Sequence, residues 1–188
     1  MESFFFPLGI VTLSEIGDKT QLLALLLAVR FHRPLSIILG ILAATLTNHL
    51  VAGAIGNWFA SFFSRSSLSW VLAICFLIVA IWTLIPDKLD NEDNSIYQKY
   101  GPFLATFIAF FLAEMGDKTQ VATVIMAAQY ANLWLVVAGT TVGMLVADIP
   151  VVLLGNFSAN KLPLKPIRIL AALIFFCMAI LAIYNGLS

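Results

Sequence analysis

A seven-residue stretch carrying three charges occurs twice, each time inside a long apolar run, and nothing else restricts the fold as much. Glu15-Ile16-Gly17-Asp18-Lys19-Thr20-Gln21 lies within Phe4–Val29, and Glu114-Met115-Gly116-Asp117-Lys118-Thr119-Gln120 within Pro102–Ala128. The composition makes those runs membrane segments rather than a soluble core: 61% of residues are hydrophobic and 11% charged, and the mean hydropathy is +0.99. A soluble domain has about 45–50% apolar residues. A charge at the bilayer centre costs roughly 2.5–3.5 kcal/mol on insertion scales, so charges clustered there mark function.

Segments long enough to cross the hydrocarbon core recur along the chain at Phe4–Val29, Leu35–Trp58, Leu68–Ile85, Pro102–Ala128, Leu133–Leu154 and Ile167–Tyr184. Lipid offers the backbone no hydrogen-bond partner, so each is predicted to be a helix. Between them lie Arg30-Phe31-His32-Arg33-Pro34, the serines around Ser64–Ser69, the polar stretch Asp87–Lys99, a minimal Tyr130-Ala131-Asn132 turn and Lys161–Pro166, all rich in turn residues. The expectation is an all-α integral membrane protein of six transmembrane helices, a single membrane domain over residues 1–188. Met1-Glu2-Ser3 lacks the basic region of a secretory signal, so the first span is expected to be retained. Cys75 and Cys177 lie in apolar runs without metal-ligand spacing and are expected to be buried and free.

The two halves are a repeat. A shift of 99 positions superposes Glu15 on Glu114, Asp18 on Asp117, Gly40 on Gly139, and Gly56-Asn57-Trp58 on Gly155-Asn156-Phe157. Repeat one covers about 1–85, a cytoplasmic loop about 86–101, and repeat two about 102–188. With three spans in each, the second half enters the membrane from the opposite side, an inverted repeat of the kind that places a substrate site at the midplane. Basic residues set the orientation: Arg30, Arg33, Lys88, Lys99, Lys161, Lys165 and Arg168 fall on one side, and only Arg65 on the other. By the positive-inside rule both termini are non-cytoplasmic. The Asp87–Asp93 loop reads as a solvated connector.

Glu15 and Asp18 are three residues apart, as are Glu114 and Asp117, so on an unbroken helix each pair shares a face. If the first and fourth helices meet at the pseudo-twofold axis, four carboxylates converge at mid-depth. With Lys19 and Lys118 the two motifs sum to a formal charge of −2, which matches one divalent cation. Thr20, Thr119, Gln21 and Gln120 add hard oxygen donors suited to manganese, calcium or magnesium, whereas zinc and copper are disfavoured without a thiolate. Gly17 and Gly116 serve either as hinges that turn carbonyl oxygens toward the ion or as small residues for close helix packing. Lys19 and Lys118 stand four residues after Glu15 and Glu114, the favourable order for an intrahelical pair that neutralises an acid in the empty site. Occupation of the cation position by a lysine is the alternative. Protons and metal compete for the same carboxylates, and that competition is the basis of antiport.

The doubled Glu-x-Gly-Asp-Lys-Thr motif, each copy opening a three-helix half, resembles uncharacterised protein family 0016, the group of bacterial manganese exporters and Golgi cation exchangers related to transmembrane protein 165. The resemblance covers essentially the whole chain. It implies manganese, and in some members calcium, moved against protons, with Glu15, Asp18, Glu114 and Asp117 as ligands; the compact chain resembles the bacterial members of the inner membrane.

Two further positions distinguish the halves. His49 aligns with Asp148 by the same offset, beside Asn48. Asp148 is expected to be a fifth acid near the pathway. His49 is either a proton acceptor or a histidine hydrogen-bonded in the bundle, and Asn48 an interhelical hydrogen-bond donor. Trp58, Trp70, Trp82 and Trp134 lie toward helix ends, where indoles settle at the interface. A net charge of +0 leaves no basic face for nucleic acid, and no phosphate-cradling loop or cofactor motif is present. The partners expected are divalent cations, protons and the lipid bilayer. An intramembrane aspartyl protease also uses paired acids, but it needs one dyad rather than two equivalent acid pairs each with a lysine. A passive channel needs a polar stripe that the remaining spans lack.

Overall fold

The computed structural model describes residues 1–85, 100–154 and 164–187, and every regular element among them is helical. These elements are α1 (Glu2–Glu15), α2 (Lys19–Phe31), α3 (Pro34–Ala60), α4 (Arg65–Thr83), α5 (Pro102–Glu114), α6 (Lys118–Gln129), α7 (Leu133–Leu154) and α8 (Leu164–Leu187). Most of the loop expected at about 86–101 lies outside the described residues, as do Gly155-Asn156-Phe157 and the connector from Lys161 to Pro163.

Local chemistry accounts for the helix ends. Pro34 and Pro102 open α3 and α5 at positions whose N–H would have no partner inside the helix. Ser64 caps α4 by accepting from the Ser67 N–H. Asn132 Oδ1 accepts from the Leu135 N–H at 3.1 Å and so starts α7 after the short turn. His32, with φ 51, ends α2 in the left-handed conformation, its N–H donating to the Ala28 carbonyl.

Among the described residues, four helical stretches are long and apolar enough to cross a membrane: α3, α4, α7 and Ile169–Leu187 of α8. At the motifs the expectation of continuous helices is corrected. Phe4–Val29 and Pro102–Ala128 are each two helices, of 14 and 13 residues and of 13 and 12 residues. None of these is alone the ~20 residues a crossing needs. The breaks occur because Ile16 and Met115 are extended and the next residues, Gly17 and Gly116, adopt φ of 79° and 75°. A side chain disfavours that conformation and glycine does not.

The packing relates the halves. Helix α1 lies on α7, and α5 lies on α3; α2 meets α7, and α6 meets α3; α4 pairs with α8. Two of the close approaches fall on repeat-equivalent residues. A Cβ on Gly40 would sit 2.8 Å from the Phe103 carbonyl oxygen, and one on Gly139 would collide with the carbonyl of Phe4. Phe4 and Phe103 are themselves 99 residues apart. These glycines let α1 and α5 approach their partners backbone to backbone.

Side-chain placement follows a nonaqueous solvent. Leu22, Leu26 and Val29 of α2, Ile74, Ile78 and Ile81 of α4, and Leu173, Phe176 and Ile180 of α8 face outward, whereas Glu15, Thr45, His49, Glu114 and Asp148 are completely covered. Cys75 and Cys177 are both free, but the expected burial is only partial at Cys75 and fails at Cys177, which lies on the outward apolar face of α8. Trp58, Trp70 and Trp134 are exposed near helix ends.

Candidate cation site

The two helix breaks bring the motifs together. Glu15 is the last residue of α1 and Glu114 the last of α5; Asp18 and Asp117 stand immediately before α2 and α6 as their N-caps. The shared-face geometry expected of an unbroken helix is therefore replaced by a reverse turn, in which the Asp18 N–H donates to the Glu15 carbonyl at 3.0 Å and the Asp117 N–H to that of Glu114 at 3.1 Å. An acid at a helix N-terminus also meets the positive end of the helix dipole.

Gln21 and Gln120 close these turns. Each side-chain oxygen accepts the N–H of the glycine at the break, Gly17 at 2.9 Å and Gly116 at 2.8 Å. Gln21 Nε2 also donates to the Ala147 carbonyl at 2.9 Å, which fastens the first turn to α7. Each glutamine oxygen is thus engaged by a backbone N–H of its own turn.

Carboxylate oxygens of Glu15, Glu114 and Asp117, all buried, lie within 4.8 Å of one another. Glu15 is well supplied with donors: Thr20 Oγ1 at 2.6 Å and, across the repeats, Thr119 Oγ1. Both oxygens of the buried Glu114 lack any hydrogen-bond partner. A buried carboxylate without donors is costly unless a cation or a proton joins it. The donor set fits a hard divalent cation.

The fourth acid falls outside this trio. Asp18 is held by Lys118, Nζ to Oδ1 at 2.6 Å, and Lys19 Nζ approaches Asp117 Oδ1 at 3.0 Å. The intrahelical pairing expected for the lysines is corrected: each crosses to the aspartate of the opposite motif, because the breaks remove the i,i+4 relation to Glu15 and Glu114.

His49 and Asp148 are completely covered, and neither His49 nitrogen nor either Asp148 oxygen has a hydrogen-bond partner. Asp148 lies close enough to Glu15 and Glu114 for their charges to act on one another. Asn48 donates from Nδ2 to the Phe111 carbonyl at 3.1 Å, the interhelical bond its position suggests. Sequence reasoning missed Thr45 and Thr141, whose buried hydroxyl oxygens are also unpartnered, and the Ala147 carbonyl. Threonine is ordinary in membrane helices and a carbonyl carries no residue identity, so no signal marked them.

Buried carboxylates gathered at paired helix breaks within an apolar helical bundle define an ion carrier of the membrane. The chain belongs to the divalent cation/proton antiporter GDT1 family, whose sequence profile matches residues 3–91 and 102–188. Its relatives include a Vibrio cholerae protein named "Putative manganese exporter", 54% identical over 171 residues that cover 90% of this chain and 84% of that protein. The Saccharomyces cerevisiae divalent cation/proton antiporter GDT1 is 24% identical over all of this chain and 85% of its own length. A GDT1-like protein of Synechocystis is 25% identical with both chains fully covered. The family description and the Vibrio cholerae and Saccharomyces cerevisiae names describe transporters rather than enzymes. No solved structure matches the chain.

Proposed function

We propose that this chain exports a divalent cation, Mn2+ foremost, from a bacterial cell across its inner membrane in exchange for protons, with Glu15, Asp18, Glu114 and Asp117 as the ligand set. The observation that carries this reading is the three-carboxylate cluster at the two breaks, with Glu114 bearing two buried, unpartnered oxygens. Hard oxygen donors favour Mn2+, Ca2+ or Mg2+, and the name of the Vibrio cholerae relative favours manganese. Release follows when protons displace the metal from the same oxygens.

In this reading α1 with α2, and α5 with α6, are two broken spans, which with α3, α4, α7 and α8 make six in two inverted repeats. The 99-residue offset, the paired breaks and the matched Gly40–Phe103 and Gly139–Phe4 contacts support it. The basic residues favour non-cytoplasmic termini. Asp148 and His49 lie beside the route and carry protons between the cluster and water. Thr20 and Thr119 hold Glu15 in place and become ligands only if they turn from it.

The test is metal-driven proton movement in proteoliposomes, comparing Mn2+, Ca2+, Mg2+ and Zn2+, with Asp117→Asn as the control. A Mn2+ response lost in the variant supports the reading. A response to Ca2+ alone keeps the mechanism and changes the cargo. Silence to every cation from folded protein overturns it.

A further inference from the structure

The two motifs are equivalent in sequence but not in geometry. Glu15 takes the hydroxyl hydrogens of both Thr20 and Thr119, and Glu114 takes neither. Asp117 belongs to the carboxylate cluster and Asp18 does not. The Lys118–Asp18 pair is 2.6 Å long with side chains 3% and 1% exposed; Lys19–Asp117 is 3.0 Å long, and the Lys19 side chain is 21% exposed. Glu15 is satisfied by hydroxyl donors of the protein, while both oxygens of Glu114 face the site without one.

We propose that Lys118 is an internal competitor for the transported cation: its ammonium withdraws Asp18 from the cluster, must yield when the metal binds, and returns to drive release. The inference rests on the antiport reading above. Its physical basis is that Asp18 cannot serve the buried ammonium and a metal shared with Glu15, Glu114 and Asp117 equally well, so metal and ammonium exclude one another energetically. Because the halves match in sequence, exchanging their roles gives a second arrangement of comparable energy. There both threonines turn to Glu114, Asp18 joins Glu15 and Glu114, and Lys19 holds Asp117 out of the cluster. The lysines thus act one in each orientation of the carrier. They are positioning residues, since neither touches the metal.

The experiment is a double-mutant cycle on purified protein and in proteoliposomes, with Mn2+ as the probe. Lys118→Gln is expected to tighten Mn2+ binding and lower KM by about tenfold, within the range of measured couplings between sites, while kcat falls because release slows. Lys118→Arg, which keeps the charge and offers a second test should Lys118→Gln fold poorly, is expected to restore the higher KM. In an Asp18→Asn background, Lys118→Gln is expected to change Mn2+ affinity by no more than about twofold, the loss of coupling that a cycle detects. In oriented vesicles, Lys118→Gln and Lys19→Gln should lower KM from opposite faces. An unchanged or raised KM in Lys118→Gln, an effect independent of Asp18, or both lysine variants acting from one face would overturn the proposal. Absence of exchange with every divalent cation in the unsubstituted protein would instead overturn the antiport reading beneath it.

Discussion

Replacing Gly116 by alanine isolates the contribution of the helix break. A Cβ built there meets nothing within 4 Å, so the substitution brings no collision. It does place an L side chain at φ 75°, at a cost of roughly 1–2 kcal/mol. Part of that is offset, by about 0.4–1 kcal/mol, because alanine also restricts the unfolded chain. The net loss is on the order of 1 kcal/mol, or about 2–4 °C in the thermal midpoint for a chain of this size. Gly116→Asn should lose less, since asparagine tolerates the left-handed conformation. Transport should suffer more than stability. A chain that relieves the strain by becoming helical through position 116 moves Asp117 away from Glu15 and Glu114. Thermal unfolding in detergent, paired with Mn2+ exchange in proteoliposomes, measures both effects. The reasoning is refuted if Gly116→Ala matches the unsubstituted protein in both assays, or if Gly116→Asn is the more damaging change.

Glu114→Gln should leave the fold intact or slightly stabilised, since it removes an uncompensated buried charge, and should abolish metal-driven proton movement; retention of exchange would remove Glu114 from the ligand set. Gly139→Ala drives a methyl into the Phe4 carbonyl and is expected to cost about 1–3 kcal/mol of stability by overpacking. Gly9→Ala, on α1 with nothing within 4 Å of its Cβ, should stay within about 0.5 kcal/mol, and equal effects at the two positions would refute the close α1–α7 approach. Ser64→Ala removes an exposed N-cap and should lower the thermal midpoint by the equivalent of about 0.5–1 kcal/mol, with Mn2+ exchange unchanged.

Helix positions, turn residues and the motif residues were legible in advance because they follow from short-range chemistry. The starts of α3 and α5 at proline and the serine cap of α4 needed no tertiary information. The motif acids stood out because charge is costly inside apolar runs. The break itself was visible only as an option. Gly17 and Gly116 permit a left-handed turn without compelling it, and an uninterrupted helix satisfies the same local pattern. The turn-closing role of Gln21 and Gln120 was hidden for a related reason: their oxygens cap the broken turns, a role that exists only once the helix is broken.

By itself the amino-acid sequence determined the membrane class, the duplication and the identity of the acids, because hydropathy, periodic spacing and charge in apolar runs are properties of residues in order along the chain. Only the tertiary structure decided which acids form the tight trio, which lysine reaches which aspartate, and that Asp18 pairs with Lys118. Those outcomes depend on how two half-chains some hundred residues apart pack. A long side chain such as lysine pairs with whichever carboxylate that packing brings within its reach.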